Sequence, residues 1–146
     1  MPPIRPWIAG DVYRLPLTPH WDTILQLLDE PYAVFLNVKV EASRPFAAVQ
    51  IQGCDIYRVL AVSATARKEW SLIGPAPVKG CSIPAFFTKT PEGDLKIWNR
   101  GKARRATRSE CAGLDQMAHY SHEYLERRLR DHLLRGTYTP PPHAIP

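Results

Sequence analysis

The ten residues at positions 32–41, YAVFLNVKVE, carry the clearest strand pattern in the chain. In the second half of this stretch every other residue is apolar: Leu36, Val38 and Val40. Such alternation predicts a strand with one solvated face. Residues 45–53, PFAAVQIQG, repeat the pattern, and the intervening EASRP is turn-like. The two strands are therefore predicted to pair as a hairpin.

The segment before this strand is predicted to hold one short strand and one short helix. Gly10-Asp11 leads into the strand at residues 12–17, VYRLPL, and Pro16 limits its end to a sheet edge or a bend. Residues 18–31, TPHWDTILQLLDEP, predict the helix, with Thr18 as its cap and Pro19 at its first position. Pro31 stops it. The apolar residues at helical spacing are Trp21, Ile24, Leu25 and Leu28.

Three further β-elements are predicted downstream. Residues 55–64, DIYRVLAVSA, indicate a third, central strand, although a short buried helix also fits an apolar run of this length. Residues 69–80, EWSLIGPAPVKG, predict a short strand followed by a proline-rich loop. Residues 84–99, PAFFTKTPEGDLKIWN, predict a hairpin whose arms are FFTK and LKIW and whose turn is TPEGD.

The C-terminal third is predicted to be helical. Thr107 and Glu110 have the spacing of a capping box, so a helix should begin near Arg108 and be interrupted at Gly113. Residues 114–135 predict a long amphipathic helix that Gly136 terminates. Its arginine-rich outer face is expected to be solvated, with Glu123–Arg127 and Glu126–Arg130 spaced for ion pairs. Its apolar stripe consists of Tyr124, Leu125, Leu129 and Leu133.

These elements predict the α+β class, because a run of strands precedes a helix. We expect a mostly antiparallel sheet or partly open barrel of five to seven strands, with a short early helix and a long C-terminal amphipathic helix. Residues 1–136 are predicted to form a single domain, and residues 137–146 a proline-rich tail. The proline-rich ends MPPIRP and TPPPHAIP are expected to be extended and poorly ordered.

The composition of the chain indicates its cellular compartment and the charge of its binding partner. The chain of 146 residues has a formal net charge of +5, which favours an acidic partner. Its three cysteines, Cys54, Cys81 and Cys111, are scattered as in proteins of a reducing compartment. No secretory signal or membrane-spanning run is apparent, so a cytoplasmic protein that does not enter a membrane is expected.

The most basic window of the sequence, WNRGKARRATRSE, lies at residues 98–110. Its second part, from Thr107, is predicted to begin the helix, and its first part to be an exposed connector. A basic strip with an aromatic residue is compatible with a protein partner, with nucleic acid or with simple solvation. The candidate contact residues are Trp98, Arg100, Lys102, Arg104 and Arg105.

Nothing in the sequence predicts an enzyme, a metal site or a cofactor. His119 and His122 are three residues apart, but no further ligand has recognisable spacing. Cys54 and Cys81 have no motif of a catalytic nucleophile around them. No carboxylate pair, nucleophile elbow or phosphate-binding glycine loop is present.

Several landmarks nevertheless resemble a known family. GDVYRLPL at 10–17, WSLIGPAPV at 70–78, Trp98 and RATRSECAGL at 105–114 occur in this order. Together they resemble the immunity protein 26 family of bacterial polymorphic toxin systems, over roughly residues 8–135. The resemblance implies a structural role, and no toxin-binding role, for the positions that match the family pattern. These positions are Gly10, Asp11, Trp70, Ile73, Gly74, Thr107, Glu110 and Leu114.

The resemblance implies a mostly β protein, encoded beside a toxin, that neutralises it by direct binding. It also implies a glycine-bearing turn and a second strand soon after GDVYRLPL, where this chain has its predicted early helix. A net charge of +5 adds that the toxin should expose an acidic face. The alternative from another class is a small basic β-rich module that binds nucleic acid.

Overall fold

The computed structural model describes residues 4–140 and contains two β-sheets. The first sheet has the order β5-β3-β2-β1-β6, and β4 pairs with β2 beside this path. Its neighbouring strands are antiparallel. The strands are β1 (Asp11–Pro16), β2 (Trp21–Leu27), β3 (Tyr32–Leu36), β4 (Val40–Glu41), β5 (Ile56–Ala61) and β6 (Ser71–Pro75).

The second sheet has four strands in the order β10-β7-β8-β9. Its central hairpin confirms the predicted FFTK and LKIW arms, with Phe86 opposite Trp98. The short β10 runs parallel to β7, whereas the other pairs are antiparallel. The strands are β7 (Phe86–Lys89), β8 (Leu95–Asn99), β9 (Lys102–Ala106) and β10 (Asp115–Gln116).

Helical structure is confined to short segments. The α-helices are α1 (Arg108–Cys111) and α2 (His122–Arg130), and α2 continues as a π-helical turn over Asp131–Arg135. Two 3-10 turns cover Ala48–Gly53 and Ala66–Glu69. The α+β class with mostly antiparallel sheets is therefore confirmed. Residues 4–140 contain ten strands instead of five to seven, and the sheets do not close into a barrel.

The predicted early helix is wrong, because its residues form strand β2. Both faces of the first sheet are covered, so the residues of β2 after Trp21 are all buried. Ile24 packs into one core cluster, whereas Leu25 and Leu27 pack into the other. A strand buried on both faces loses its alternation and cannot be told from a helix by periodicity alone. The Thr18 hydroxyl, predicted to cap the helix, instead accepts from the backbone N–H of Trp21 in the β1–β2 turn, at 3.2 Å.

The predicted hairpin after residue 32 is also wrong. Residues 48–53 form a 3-10 turn, in which the Gln50 side chain accepts a hydrogen bond from the backbone N–H of Ala47 at 2.7 Å. Only Ile51 of this turn is buried, against one face of the first sheet. Besides β2, the strand that pairs with β3 is β5, with Phe35 opposite Arg58. The prediction of a strand at β5 is confirmed, but it lies at the end of the sheet order and is not central.

The C-terminal helix is shorter than predicted. The continuous helical segment from His122 to Arg135 has its N-cap at Ser121. Residues 114–121 form β10 and a connection in which Tyr120 bridges to Val62 beside β5. The predicted terminator is confirmed, since Gly136 has a φ of 67° in the left-handed region. The predicted apolar stripe packs on the core.

The segments beside the two ends make contacts with the rest of the fold. Trp7 donates from Nε1 to the carbonyl of Leu28 at 2.7 Å. Tyr124 donates from its hydroxyl to the carbonyl of Thr139 at 3.0 Å. The remaining proline-rich positions, 1–3 and 141–146, lie outside the described residues. Between residues 4 and 140, no helix combines the length and apolarity needed to cross a membrane.

Candidate functional site

The first part of the basic window forms the end of β8, a turn and strand β9, so the prediction of a connector is wrong. The prediction that this segment is exposed agrees with β9. β8 and β9 are joined by the two-residue turn Arg100-Gly101, with φ values of 53° and 79°. Positive φ at both central residues defines a type I′ turn, whose twist matches that of paired strands. Asn99 and Lys102 pair across the turn. The signal in the sequence is the glycine of NRGK, because Gly101 adopts this conformation without steric cost.

Strand pairing divides the five candidate contact residues between two faces of the second sheet. Side chains of directly opposed residues lie on one face, and successive residues alternate. Trp98 opposes Ala103, whereas Ile97 opposes Arg104. We call the two surfaces the Trp98 face, which carries Lys96, Trp98 and Arg105, and the Arg104 face, which carries Ile97, Lys102 and Arg104. Arg100 lies in the turn between them.

The Trp98 face contains an aromatic groove. The groove has a volume of about 540 Å³ and is lined in part by Tyr32, Phe86, Trp98 and Arg100. Tyr32 from β3 stacks on Phe86 with ring centroids 5.9 Å apart. Trp98 is half-buried and donates from Nε1 to the Thr88 hydroxyl at 3.1 Å. The groove thus joins apolar rings to a cationic side chain.

Two cations face each other beside this groove. Lys96 and Arg105 are opposed across β8 and β9, and both are exposed. No carboxylate within residues 4–140 forms an ion pair with either of them. Like charges placed directly opposite in a sheet destabilise it. A bound anionic group would relieve this repulsion.

The Arg104 face contains one internally neutralised cation. Arg104 donates from Nη1 to Oε2 of Glu110 at 2.7 Å. Glu110 also accepts from the backbone N–H of Thr107 at 3.0 Å, which confirms the predicted capping box. The Thr107 backbone bond and then Arg104 lower the pKa of Glu110. A second groove of about 590 Å³ lies here, with Ile97, Lys102 and Leu114 in its lining.

Most of the net positive charge of the chain lies in strands β7 to β9 of this sheet and the turns between them. Residues 86–106 contain six Lys and Arg residues against two carboxylates, a net of +4 out of +5 for the whole chain. The residues of β9 from Lys102 to Arg105 are all exposed. A concentrated field of this kind steers an acidic partner to one side of the molecule.

Sequence reasoning missed a second cluster, centred on Arg128. This guanidinium was expected on a solvated helix face, but its side chain is only 1% exposed. It lies between the rings of Tyr57 and Tyr138, 5.5 and 5.2 Å from their centroids. Nη1 donates to Asp115 Oδ1 at 2.7 Å, and Nε donates to the Tyr57 hydroxyl at 3.1 Å. The cluster joins α2, β5, β10 and the start of the tail.

Neighbouring tyrosines and one histidine complete this cluster. Burial raises the pKa of Tyr120 and raises that of Tyr124 to about 12, so both phenols are neutral near pH 7. His132 stacks on Tyr57 with centroids 4.0 Å apart, and its Nε2 lies 3.0 Å from Asn37 Oδ1. The Arg128 guanidinium is hydrogen-bonded to the hydroxyls of Tyr57 and Tyr124 within the cluster, which is the arrangement of a structural network. Only the spacing of Tyr124 and Arg128 on one helix face signals it in the sequence.

The histidine and cysteine side chains that could bind a metal or act as nucleophiles are packed or hydrogen-bonded in the fold. His122 accepts from Trp70 Nε1 at Nδ1, 3.1 Å away, and its Nε2 lies 3.1 Å from Glu126. Burial raises the pKa of Cys54, Cys81 and Cys111, which keeps the three thiols protonated at neutral pH. No group of three potential metal ligands lies together among residues 4–140.

Comparisons with protein families, with curated proteins and with solved structures found no match for the chain. The functional proposal therefore depends on the surface chemistry of the second sheet and on the sequence resemblance.

Proposed function

We propose that the chain is an immunity protein that neutralises a cognate bacterial toxin by direct binding, without catalysing a reaction. The observation that carries the proposal is the exposed basic surface of strands β7 to β9, whose residues 86–106 hold a net charge of +4. The expected partner surface is acidic, because opposite potentials steer two proteins into contact and fix their orientation. Such a protein would act in the cytoplasm, where its three free cysteines stay reduced.

The positions that match the family landmarks support the proposal through their structural roles. Gly10 has a φ of 100°, and an added Cβ would lie 2.9 Å from the carbonyl oxygen of Ala76. Asp11 is buried and pairs with Arg5 at 2.8 Å. Trp70 packs in the core, and Thr107 caps α1. The strand β2 occupies the place where the family pattern implies a second strand.

Co-expression tests the proposal. The wild-type chain should restore growth to cells that express the toxin encoded in the neighbouring reading frame, and the two proteins should co-elute from a sizing column. Replacing Lys96, Arg100 and Arg105 by Gln should weaken the complex roughly 10–100-fold, because each exposed ion pair contributes up to about 1 kcal/mol. Lys68→Gln with Arg135→Gln removes two exposed cations outside the second sheet and should leave binding unchanged. A wild-type chain that neither restores growth nor co-elutes would overturn the proposal.

One observation favours a second candidate, the binding of single-stranded nucleic acid. The Trp98 face combines the rings of Tyr32 and Trp98 with the cations Lys96, Arg100 and Arg105, and such a surface can stack bases and follow phosphates. A twelve-nucleotide dT oligomer, titrated at low and high salt, provides the test. Binding by this face requires strong salt dependence, sensitivity to Arg105→Ala and indifference to Arg104→Ala. Affinity that is independent of salt excludes this candidate.

A further inference from the structure

The outer edge of β9 is an unpaired strand edge. β9 is the last strand of the second sheet, and no other strand within residues 4–140 pairs beyond it. Its register with β8 continues without a bulge from Asn99–Lys102 to Leu95–Ala106. Proline, bulges and charged side chains are the usual means of blocking an edge. β9 contains no proline and no bulge, and its cations Lys102, Arg104 and Arg105 repel a basic strand but not an acidic one.

The hairpin turn determines which backbone groups face outward. In a two-residue hairpin the residues that flank the turn, here Asn99 and Lys102, exchange backbone hydrogen bonds. Alternation then directs the backbone N–H and C=O of Ala103 and Arg105 away from β8. The Arg105 carbonyl accepts a bond from its neighbour Arg104 at 3.3 Å. The edge therefore offers a short ladder centred on Ala103, whose methyl group obstructs neither face.

Charge specifies the segment that this edge accepts. The side chains of an added strand would alternate between the two faces of the sheet. On one face they would meet Arg105 and Lys96, which oppose each other without a carboxylate partner among the described residues. On the other face they would meet the exposed Lys102, next to Arg104, whose charge Glu110 already neutralises. Glu and Asp side chains complement both faces, whereas Lys and Arg are repelled.

We propose that β9 binds an extended acidic segment of the partner protein by β-strand addition. Main-chain hydrogen bonds to Ala103 and Arg105 would supply affinity, and the flanking cations would select carboxylates. This inference rests on the proposed function, since it specifies how the toxin is recognised. It also predicts that the acidic surface of the partner is an extended strand and not a helix.

The decisive variant changes one outward N–H. Ala103→Pro removes the N–H that points away from β8, so the β8–β9 ladder keeps its bonds, and proline is tolerated at such edge positions. Ala103→Val is the matched control, because it alters the same side chain but keeps the donor. Thermal melting compares the folding of the two variants.

The probe is a synthetic peptide of about eight residues that alternates Glu and Thr, a length typical of a strand. Calorimetry at low salt should detect binding to the wild-type chain and to Ala103→Val. Binding to Ala103→Pro should be roughly tenfold weaker. The same peptide, N-methylated at alternate residues, should lose a similar factor with the wild-type chain, which keeps the test valid if Ala103→Pro fails to fold. A Lys-Thr peptide should not bind.

Three results would overturn the inference. The first is no binding of the Glu-Thr peptide at low salt, and the second is equal binding of the N-methylated and unmodified peptides. The third is displacement of the peptide by a dT oligomer that binds wild type and Ala103→Pro equally.

Growth rescue distinguishes failure of strand addition from failure of the proposed immunity function. If wild type and Ala103→Pro both neutralise the toxin, strand addition is wrong and the proposed function stands. If wild type binds the peptide but fails to neutralise the toxin, strand addition at β9 stands and the proposed immunity function is wrong.

Discussion

Arg128 and Asp115 form the most buried ion pair among the described residues, with Nη1 and Oδ1 2.7 Å apart and side chains 1% and 9% exposed. Arg128 belongs to α2, and Asp115 belongs to β10, where it pairs with Phe86. The bond therefore ties the C-terminal helix to the second sheet. The position of the basic sheet relative to the rest of the fold depends in part on this contact.

Loss of the carboxylate should destabilise the protein strongly. Asp115→Ala leaves a buried guanidinium without its counter-charge, and breaking a buried pair in this way costs about 3–5 kcal/mol. The free energy of unfolding in urea measures the effect. Glu41→Ala is the control, because it breaks the exposed pair with Arg44, and should cost less than about 1 kcal/mol. Equal losses in the two variants would contradict a structural role for the buried pair.

The stability of the protein should fall as the pH falls through the range in which His132 titrates. Burial of the ring, and then the charges of Arg128 and Arg58, lower its pKa below the ordinary value of 6.5. The unfolded chain therefore takes up this proton first, so the contribution is present above about pH 6.5 and is lost below it.

The variant His132→Phe isolates this contribution, because a phenyl ring retains a stack on Tyr57 but does not titrate. The free energy of unfolding, measured between about pH 7.5 and about pH 5, should fall less steeply for the variant than for wild type. Identical slopes would show that His132 does not contribute to the pH dependence.

A charge reversal at Arg105 should separate stability from function. Arg105→Glu turns its repulsion with Lys96 into an attraction, which should stabilise the isolated protein by about 0.2–1 kcal/mol. The same change should abolish binding of the acidic partner or of the Glu-Thr peptide. Melting temperature and calorimetry measure the two effects. Destabilisation by Arg105→Glu would show that the opposed cations are accommodated without cost.

Sequence patterns located β7 and β8 of the second sheet but missed its outer strands β9 and β10. The turn residues of TPEGD separate the two arms, and both arms were predicted correctly, although Phe86 and Phe87 are both buried and do not alternate. In β2 the apolar residues Ile24 and Leu25 serve opposite faces of a covered sheet, so the strand pattern is absent. Residues 48–53 alternate without forming a strand, because only Ile51 has an apolar surface to cover. Local patterns report exposure, and exposure here depends on distant segments.

The basic surface of the second sheet was predicted only in part, because its arrangement depends on strand pairing. The basic window identified the exposed cations, since charge is visible residue by residue. Their division between two faces depends on the register that the Arg100-Gly101 turn imposes, and helical capping at Thr107 does not reveal it. The Arg128 cluster brings together Tyr57 and Tyr138, which are far apart in the chain, so no local pattern signals that contact.

The turn residue Arg100 should be suboptimal for stability. It has a φ of 53°, a left-handed conformation that strains an ordinary L residue, and asparagine adopts it more readily. Arg100→Asn also creates the Asn-Gly pair preferred in type I′ turns, so it should stabilise the protein by about 0.5–1 kcal/mol. Removal of the cation should at the same time weaken the acidic partner's binding.

Lys102→Asn is the matched control for this change. It removes one cation from the same hairpin but relieves no strain, and asparagine is disfavoured in strands, so it should lower stability. Melting temperatures of the two variants therefore move in opposite directions, while both weaken binding. A strained arginine in a turn that favours Asn-Gly is expected where the side chain is retained for contact. An Arg100→Asn variant that is less stable than wild type would refute that interpretation.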